Sequence, residues 1–233
     1  MTAPNREFHF AAGEMLLVNK PRGWTSFDVV NKIRHLFRVK KVGHAGTLDP
    51  MATGLLIVCT GPLTKQIDSF MGMEKEYEAE MTLGATTPSF DAETEVNGTA
   101  STEGVTEEGV RAVLAEFVGR TTQIPPMWSA LKVDGQRLYT LARKGKVVER
   151  APREIEIRSI VPTSFRIPVV GFRVVCSKGT YVRTLVNDVG ARLGCGAFLS
   201  GLVRTRIGVY RLEDALSVDD LVAVREAGGA IPA

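Results

Sequence analysis

The sequence predicts an α+β fold, a mixed and largely antiparallel sheet flanked by helices and loops. Three observations carry this. Period-two alternation marks several strands, with Tyr77, Ala79, Met81 and Leu83 set against Glu76, Glu78, Glu80 and Thr82. Segments with helical spacing fall between the strands. The regular crossovers of about 10–15 residues that a doubly wound parallel sheet needs do not recur.

In chain order, Leu16 to Val18 is a short strand closed by the turn Asn19-Lys-Pro-Arg-Gly23. Thr25 or Ser26 can cap a helix to about Phe37, with Val29, Val30, Ile33, Leu36 and Phe37 on its apolar face. Leu55 to Cys59 reads as a buried strand and Thr64 to Phe70 as a short helix, followed by the alternating strand around Tyr77. Thr86 to Gly104, rich in Thr, Ser, Gly, Asn and acids, is expected as an exposed loop without chemistry. Val110, Val113, Leu114, Phe117 and Val118 recur at helical spacing, with Gly119 placed as the C-cap. The pattern weakens from Ile124 to Arg153, an excursion from the core. Strands follow at Arg153 to Ser159 and Gly171 to Cys176. Thr180 can then cap a helix with Tyr181, Leu185, Val189 and Leu193 four apart, stopped by Gly194, while Arg183 and Asp188 lie off that stripe. Ala197 to Thr205 is a strand, and Ser217 with Asp220 opens a last helix to Glu226.

With 233 residues the chain can bury a substantial core, as one large domain or two packed halves. Three cysteines, Cys59, Cys176 and Cys195, show no C-x-x-C spacing, which argues against a disulfide framework or a zinc site and fits a reducing cytoplasm. Met1 to Ala12 lacks an apolar signal segment, and no apolar run is long enough to span a bilayer, so a soluble cytoplasmic protein is expected. Net charge is only +3 but unevenly placed. Asn31 to Lys41 carries five basic residues and no acid. Arg120 to Arg158 has nine Lys/Arg against four acids, and Glu74 to Glu108 has ten acids against Lys75 alone. A basic face is the footprint of a polyphosphate partner, although a solvated face is the commoner explanation of any single run.

The segment Gly43-His-Ala-Gly-Thr-Leu-Asp-Pro-Met-Ala-Thr-Gly54 places one carboxylate, Asp49, in a glycine-rich turn before an apolar run. Pro50 biases Asp49 towards extended backbone, and the glycines permit angles or approaches closed to other residues. Alone, such a loop reads as an Asx turn. Its whole length, however, resembles the active-site motif of the TruB family of tRNA pseudouridine synthases. Four further segments resemble that family in order: Lys20-Pro-Arg-Gly-Trp-Thr-Ser-Phe-Asp-Val29, Met73-Glu-Lys-Glu-Tyr77, Pro125-Pro-Met-Trp-Ser-Ala-Leu-Lys132 and Cys176-Ser-Lys-Gly-Thr-Tyr-Val-Arg-Thr-Leu185. Leu202-Val-Arg-Thr-Arg206 matches a last motif.

The resemblance implies the pseudouridine synthase fold over residues 1–233, with a thumb-like RNA-gripping insertion at about 124–153 and no C-terminal PUA domain. It implies isomerisation of the uridine at position 55 in the tRNA T loop, after the base is flipped out, with neither metal nor cofactor. Asp49 would start cleavage, as nucleophile or as base. A site closed over a base strips water from the carboxylate, so a cation is needed, and Arg183 is the residue the resemblance offers. Without it, Arg183 reads as a helix-terminal arginine in a surface ion pair. Tyr77 would stack on the uracil, Tyr181 would position the nucleotide, Leu202 would supply an apolar wall and His44 would contact the RNA. Lys20 and Lys65 would be structural or phosphate-facing. Lys132, Arg137, Arg143, Lys144 and Lys146 suit backbone contacts. The expected partner is the tRNA T stem-loop, bound by a monomer with no obligatory protein partner and no membrane. The loop has His44-Ala-Gly where the family commonly has His-Thr-Gly. The rival readings are a guide-RNA-directed synthase and a non-catalytic RNA-binding protein or tRNA chaperone.

Overall fold

Alternating and continuous apolar runs become strands wherever a partner strand can take their backbone groups. The computed structural model describes residues 8–133 and 135–228; the ends of the chain and Asp134, on which the sequence also made expectations, lie outside it. β1 (Met15–Lys20) leads to α1 (Ser26–Phe37). Thr25 is its N-cap: the Asp28 amide donates to the Thr25 hydroxyl, and the Thr25 amide donates to the Asp28 carboxylate at 2.8 Å. These hydrogen bonds hold the Asp28 carboxyl below its ordinary range. β2 (Val42–His44) and β3 (Thr53–Thr60) follow. The helix expected at 64–70 is instead a 3-10 turn (Gly61–Gln66), opened by Pro62, followed by α2 (Ile67–Gly72). β4 (Lys75–Leu83) buries Tyr77, Ala79, Met81 and Leu83, as the alternation requires.

The Thr86 to Gly104 segment departs from expectation. β5 (Ala85–Thr86) and β6 (Gly98–Thr99) pair, and between them Thr87, Ser89 and Asp91 are buried. α3 (Glu107–Glu116) ends earlier than its apolar spacing suggests. Gly119 is not its C-cap but opens β7 (Gly119–Gln123), with φ of +115° outside the left-handed helical region. The excursion after Ile124 holds only the short pair β8 (Lys132–Val133) and β9 (Gln136–Arg137) and then α4 (Leu138–Ala142). β10 (Arg153–Arg166) runs past the expected Ser159, bulging where Pro162 sits, and β11 (Val169–Cys176) returns beside it. α5 (Val182–Leu193), β12 (Ala197–Ile207), β13 (Tyr210–Arg211) and α6 (Val218–Glu226) complete the order. Gly194 ends α5 in the left-handed conformation, and Ser217 with Asp220 forms the capping box of α6.

Contacts divide the chain into two units, one formed by the segments up to Tyr77 and from Leu202 onward, the other by Glu78–Gly201. In the first, β3 lies between β1 and β12, antiparallel to β1 and parallel to β12, with β2 also on β3 and β13 on β12. Leu56 and Val58 pack with Leu16, Val18, Val29, Ile33, Leu221 and Val224, while Leu55, Ile57 and Cys59 pack with Ala45, Phe70 and Ile207. Both faces of β3 are thus covered, which explains why it reads as unbroken apolar sequence rather than alternation. In the second unit the strand order is β4-β11-β10-β7, with β10 antiparallel to both neighbours. The acidic face of β4 is answered by arginines on adjacent chain: Arg173 meets Glu78 at 3.1 Å in this unit, and Arg206 meets Glu74 at 2.8 Å in the first. The sheet is mixed and mostly antiparallel with flanking helices, an α+β fold.

Cys59, Cys176 and Cys195 are buried and not in disulfides, and burial pushes the Cys59 thiol up to about 11. No helix of the described residues is long and apolar enough to cross a membrane.

Candidate active site

His44, Asp49, Tyr77 and Leu202 fall in the first unit, Tyr181 and Arg183 in the second. Each group is held by a different kind of local scaffold.

Asp49 is half-buried on the segment between His44, the last residue of β2, and Thr53, the first of β3. Side chains grip this segment by its backbone. The Ser26 hydroxyl, at the start of α1, accepts from the Leu48 amide at 2.9 Å and donates to the Leu48 carbonyl at 3.2 Å, fixing both polar groups of the residue before Asp49. Lys20 is fully buried, and its Nζ donates to the carbonyls of Pro21 at 2.9 Å, Trp24 at 2.6 Å and Pro50 at 3.4 Å. Its role is therefore structural, whereas Lys65 is exposed. The Gly23 amide also donates to the Pro50 carbonyl, at 2.7 Å. At the other end Arg204 donates to Gly46 and Leu55. Gly54 is required here: its φ is +105°, and a Cβ would lie 2.4 Å from the Arg204 carbonyl oxygen on the neighbouring parallel strand.

His44 is a neutral imidazole at physiological pH. Burial lowers its pKa from the ordinary 6.5, the Arg204 charge lowers it further, and a backbone hydrogen bond at Gly46 opposes them. This suits a contact residue rather than a resident acid. Tyr77 and Leu202 are each 8% exposed, so each is chiefly a core residue with a narrow exposed margin.

Arg183 is not a surface helix arginine. It is 3% exposed, with Nη1 donating to the Ser89 carbonyl at 3.0 Å, Nη2 to the Trp128 carbonyl at 2.8 Å, and Nε 3.4 Å from Asp91 Oδ2. Asp91 is equally buried; its Oδ1 accepts from the Ser89 hydroxyl and, at 3.0 Å, from the Glu93 amide. The sequence reading missed Asp91 because it sits in a stretch whose composition is that of a solvated loop. Asp91 and Leu199 form an isolated β-bridge, so the stretch is tied to the start of β12.

Tyr181, not Thr180, is the N-cap of α5, and no side chain caps it; the Thr180 hydroxyl instead donates to Ser177 at 3.0 Å. Gln123, at the end of β7, takes over the ordering of this turn. The Tyr181 amide donates to Gln123 Oε1 at 2.8 Å and Gln123 Nε2 donates to the Tyr181 carbonyl at 3.1 Å. This two-way grip was invisible in sequence, since 58 residues separate the pair. In the excursion, Lys132, Arg137, Arg143, Lys144 and Lys146 are all exposed, and the Arg137 and Arg143 guanidiniums stand 5.9 Å and 5.6 Å from the Tyr139 ring centre. Among the described residues no His/Cys/Asp/Glu cluster could hold a metal ion.

The mixed, mostly antiparallel sheet with flanking helices is the architecture of the pseudouridine synthase fold. Solved structures agree: a Cbf5-Nop10-Gar1 complex is 30% identical with a TM-score of 0.73, covering 94% of this chain and 57% of that one. An archaeal box H/ACA sRNP Nop10-Cbf5 complex is 28% identical with a TM-score of 0.69, covering 94% and 55%. The chain thus spans rather more than half the length of these two. The TruB family pseudouridylate synthase N-terminal domain matches residues 34–182, and the tRNA pseudouridylate synthase B C-terminal domain matches residues 183–228. The chain belongs to the TruB family of pseudouridylate synthases, which are isomerases. Among curated relatives, the tRNA pseudouridine synthase B of Phocaeicola vulgatus is 54% identical over 217 residues, 91% of this chain and 92% of that one. That of Parabacteroides distasonis is 52% identical over 218 residues, 91% and 93%.

Proposed function

We propose that the chain isomerises uridine to pseudouridine in the T loop of tRNA, at position 55, acting as a monomer in the cytoplasm without a guide RNA or protein partner. The bond from the ribose C1′ to uracil N1 breaks and a bond from C1′ to C5 forms; the proton leaving C5 is balanced by one gained at N1, so no redox partner is required. Asp49 starts cleavage, as nucleophile at the sugar or as base towards it. Arg183 is the catalytic cation that the family resemblance offers. Tyr77 stacks on the flipped base, Leu202 walls it, Tyr181 positions the nucleotide and neutral His44 contacts the RNA.

The observation that carries this reading is the bracing of the Asp49 loop. Ser26, Lys20 and Arg204 each place at least one hydrogen bond on its backbone, at Leu48, Pro50 and Gly46, an arrangement that restricts the direction of one carboxylate. The exposed basic residues of the excursion at 124–153 support an RNA-gripping thumb. The curated relatives, matched over more than nine-tenths of their length and named for tRNA, support the stand-alone reading over guide-RNA direction.

The test is position-resolved pseudouridine detection in an unmodified tRNA transcript incubated with the chain and with Asp49→Ala. Modification is expected at the T-loop uridine alone, reduced at least about 10⁴-fold in the variant, with tRNA affinity largely kept. Loss of affinity in step with turnover would remove Asp49 from this role. Tight binding without any modification would favour the tRNA chaperone reading.

A further inference from the structure

The side chain of Arg204 is one of the two largest that are fully buried in the described chain, and it is unlike the other buried arginine. Its Nε donates to the Leu55 carbonyl at 2.7 Å and its Nη2 to the Gly46 carbonyl at 3.2 Å. Among the described residues no carboxylate lies within ion-pair distance of it, whereas Arg183 has Asp91. A guanidinium this deep keeps its charge, so a lone buried cation needs a reason to be there. The reason lies in what its two acceptors flank. Gly46 stands three residues before Asp49 and Leu55 six after, so one rigid fork ties together the two ends of the segment that carries the carboxylate. Its own backbone is locked in register: Arg204 pairs with Gly54 across the parallel β12 and β3, at a spacing that no side chain at Gly54 would permit.

We propose that Arg204 is a positioning residue for catalysis: it clips the ends of the Asp49 loop so that the carboxylate meets the substrate sugar in one orientation. The proposal rests on Asp49 being the reacting group. The planar fork reaches both carbonyls at once, which a lysine ammonium on a single stem does less well. The lowered pKa of neighbouring His44, to which the Arg204 charge contributes, is consistent with a positive potential at this loop.

The test compares Arg204→Met, which keeps volume and loses charge and fork, with Arg204→Lys, which keeps charge alone. The readouts are the single-turnover rate on an unmodified tRNA transcript, the Kd for the same transcript, and amide hydrogen exchange across residues 45–53. Arg204→Met is expected to lower the rate about 100-fold, the scale of a misplacement of about 1 Å, with Kd within about threefold of the parent. Arg204→Lys should recover part of that loss, and exchange should quicken in this segment more than elsewhere. Should Arg204→Met fail to fold, Arg204→Lys still decides the matter by rate and exchange. A folded variant turning over within threefold of the parent, or a rate loss that tracks lost RNA affinity, would overturn the proposal. Turnover retained by Asp49→Asn in the same assay would instead sink the Asp49 reading on which it rests.

Discussion

The two regions that hold the candidate catalytic groups solve the same problem by different means. In the Asp49 loop the buried cations are Lys20, which donates to the carbonyls of Pro21, Trp24 and Pro50, and Arg204, which donates to those of Gly46 and Leu55. In the Arg183 region the buried cation is shared between two carbonyls and a carboxylate whose Oδ1 accepts from the Ser89 hydroxyl and the Glu93 amide. The first arrangement shapes a backbone. The second neutralises a guanidinium while fixing its plane. Each region also has a neutral side chain that grips one residue's amide and carbonyl together, Ser26 on Leu48 and Gln123 on Tyr181.

Removing the counter-charge should separate the regions most sharply. Asp91→Ala leaves the Arg183 guanidinium buried without its carboxylate and is expected to lower unfolding stability by about 3–5 kcal/mol, measured by urea denaturation. The pair Arg183→Met with Asp91→Leu should cost distinctly less, because no uncompensated charge remains. Equal losses in the single and double variants would show that the pair's charge is not what matters.

Gln123→Glu tests the second backbone grip through protonation. A neutral carboxylic acid can donate and accept as the amide does, but an ionised one cannot donate to the Tyr181 carbonyl. The variant should therefore approach parent turnover at low pH and fall by about tenfold, roughly 1.4 kcal/mol, as pH rises and the new carboxyl ionises. A pH profile parallel to the parent's would dismiss the grip as catalytically irrelevant. Its counterpart, Ser26→Ala, leaves the Leu48 amide and carbonyl unsatisfied and should cost about 1–3 kcal/mol of stability, with faster amide exchange at Leu48.

The smallest effect concerns His44. Its folded pKa lies below 6.5, so on acidification below about pH 6.5 the unfolded chain takes up a proton that the folded chain does not. The stability present above that pH is lost as pH falls towards the folded value. His44→Gln should flatten this part of the stability profile, and a profile unchanged by the substitution would mean that another group titrates there.

How much was legible depended on sequence distance. α6 is readable down to its capping pair, because Ser217 with Asp220 acts within one turn, and the start of α1 is readable to within one residue, Thr25 or Ser26, of which the structure selects Thr25. The alternation of β4 was readable because one face of that strand is buried and the other carries ion pairs at the surface. Gly119 was misplaced since spacing alone does not reveal that a strand partner, β10, claims the residues after α3. Thr86 to Gly104 was misread because polar composition signals solvent only when no partner is buried with it, and Arg183, 94 residues from Ser89, supplies that partner.

By itself the sequence determined the longer helices α1, α3, α5 and α6, strands such as β3, β4 and β12, the glycine-rich presentation of Asp49 and the family resemblance, all encoded in contiguous residues whose local preferences and fold agree. Only the tertiary structure decided what holds those groups: Asp91 against Arg183, Gln123 on Tyr181, Arg204 across the Asp49 loop. These contacts join residues 58–158 positions apart. A buried polar group must be satisfied wherever the fold brings a partner to it, and sequence spacing carries no record of that meeting.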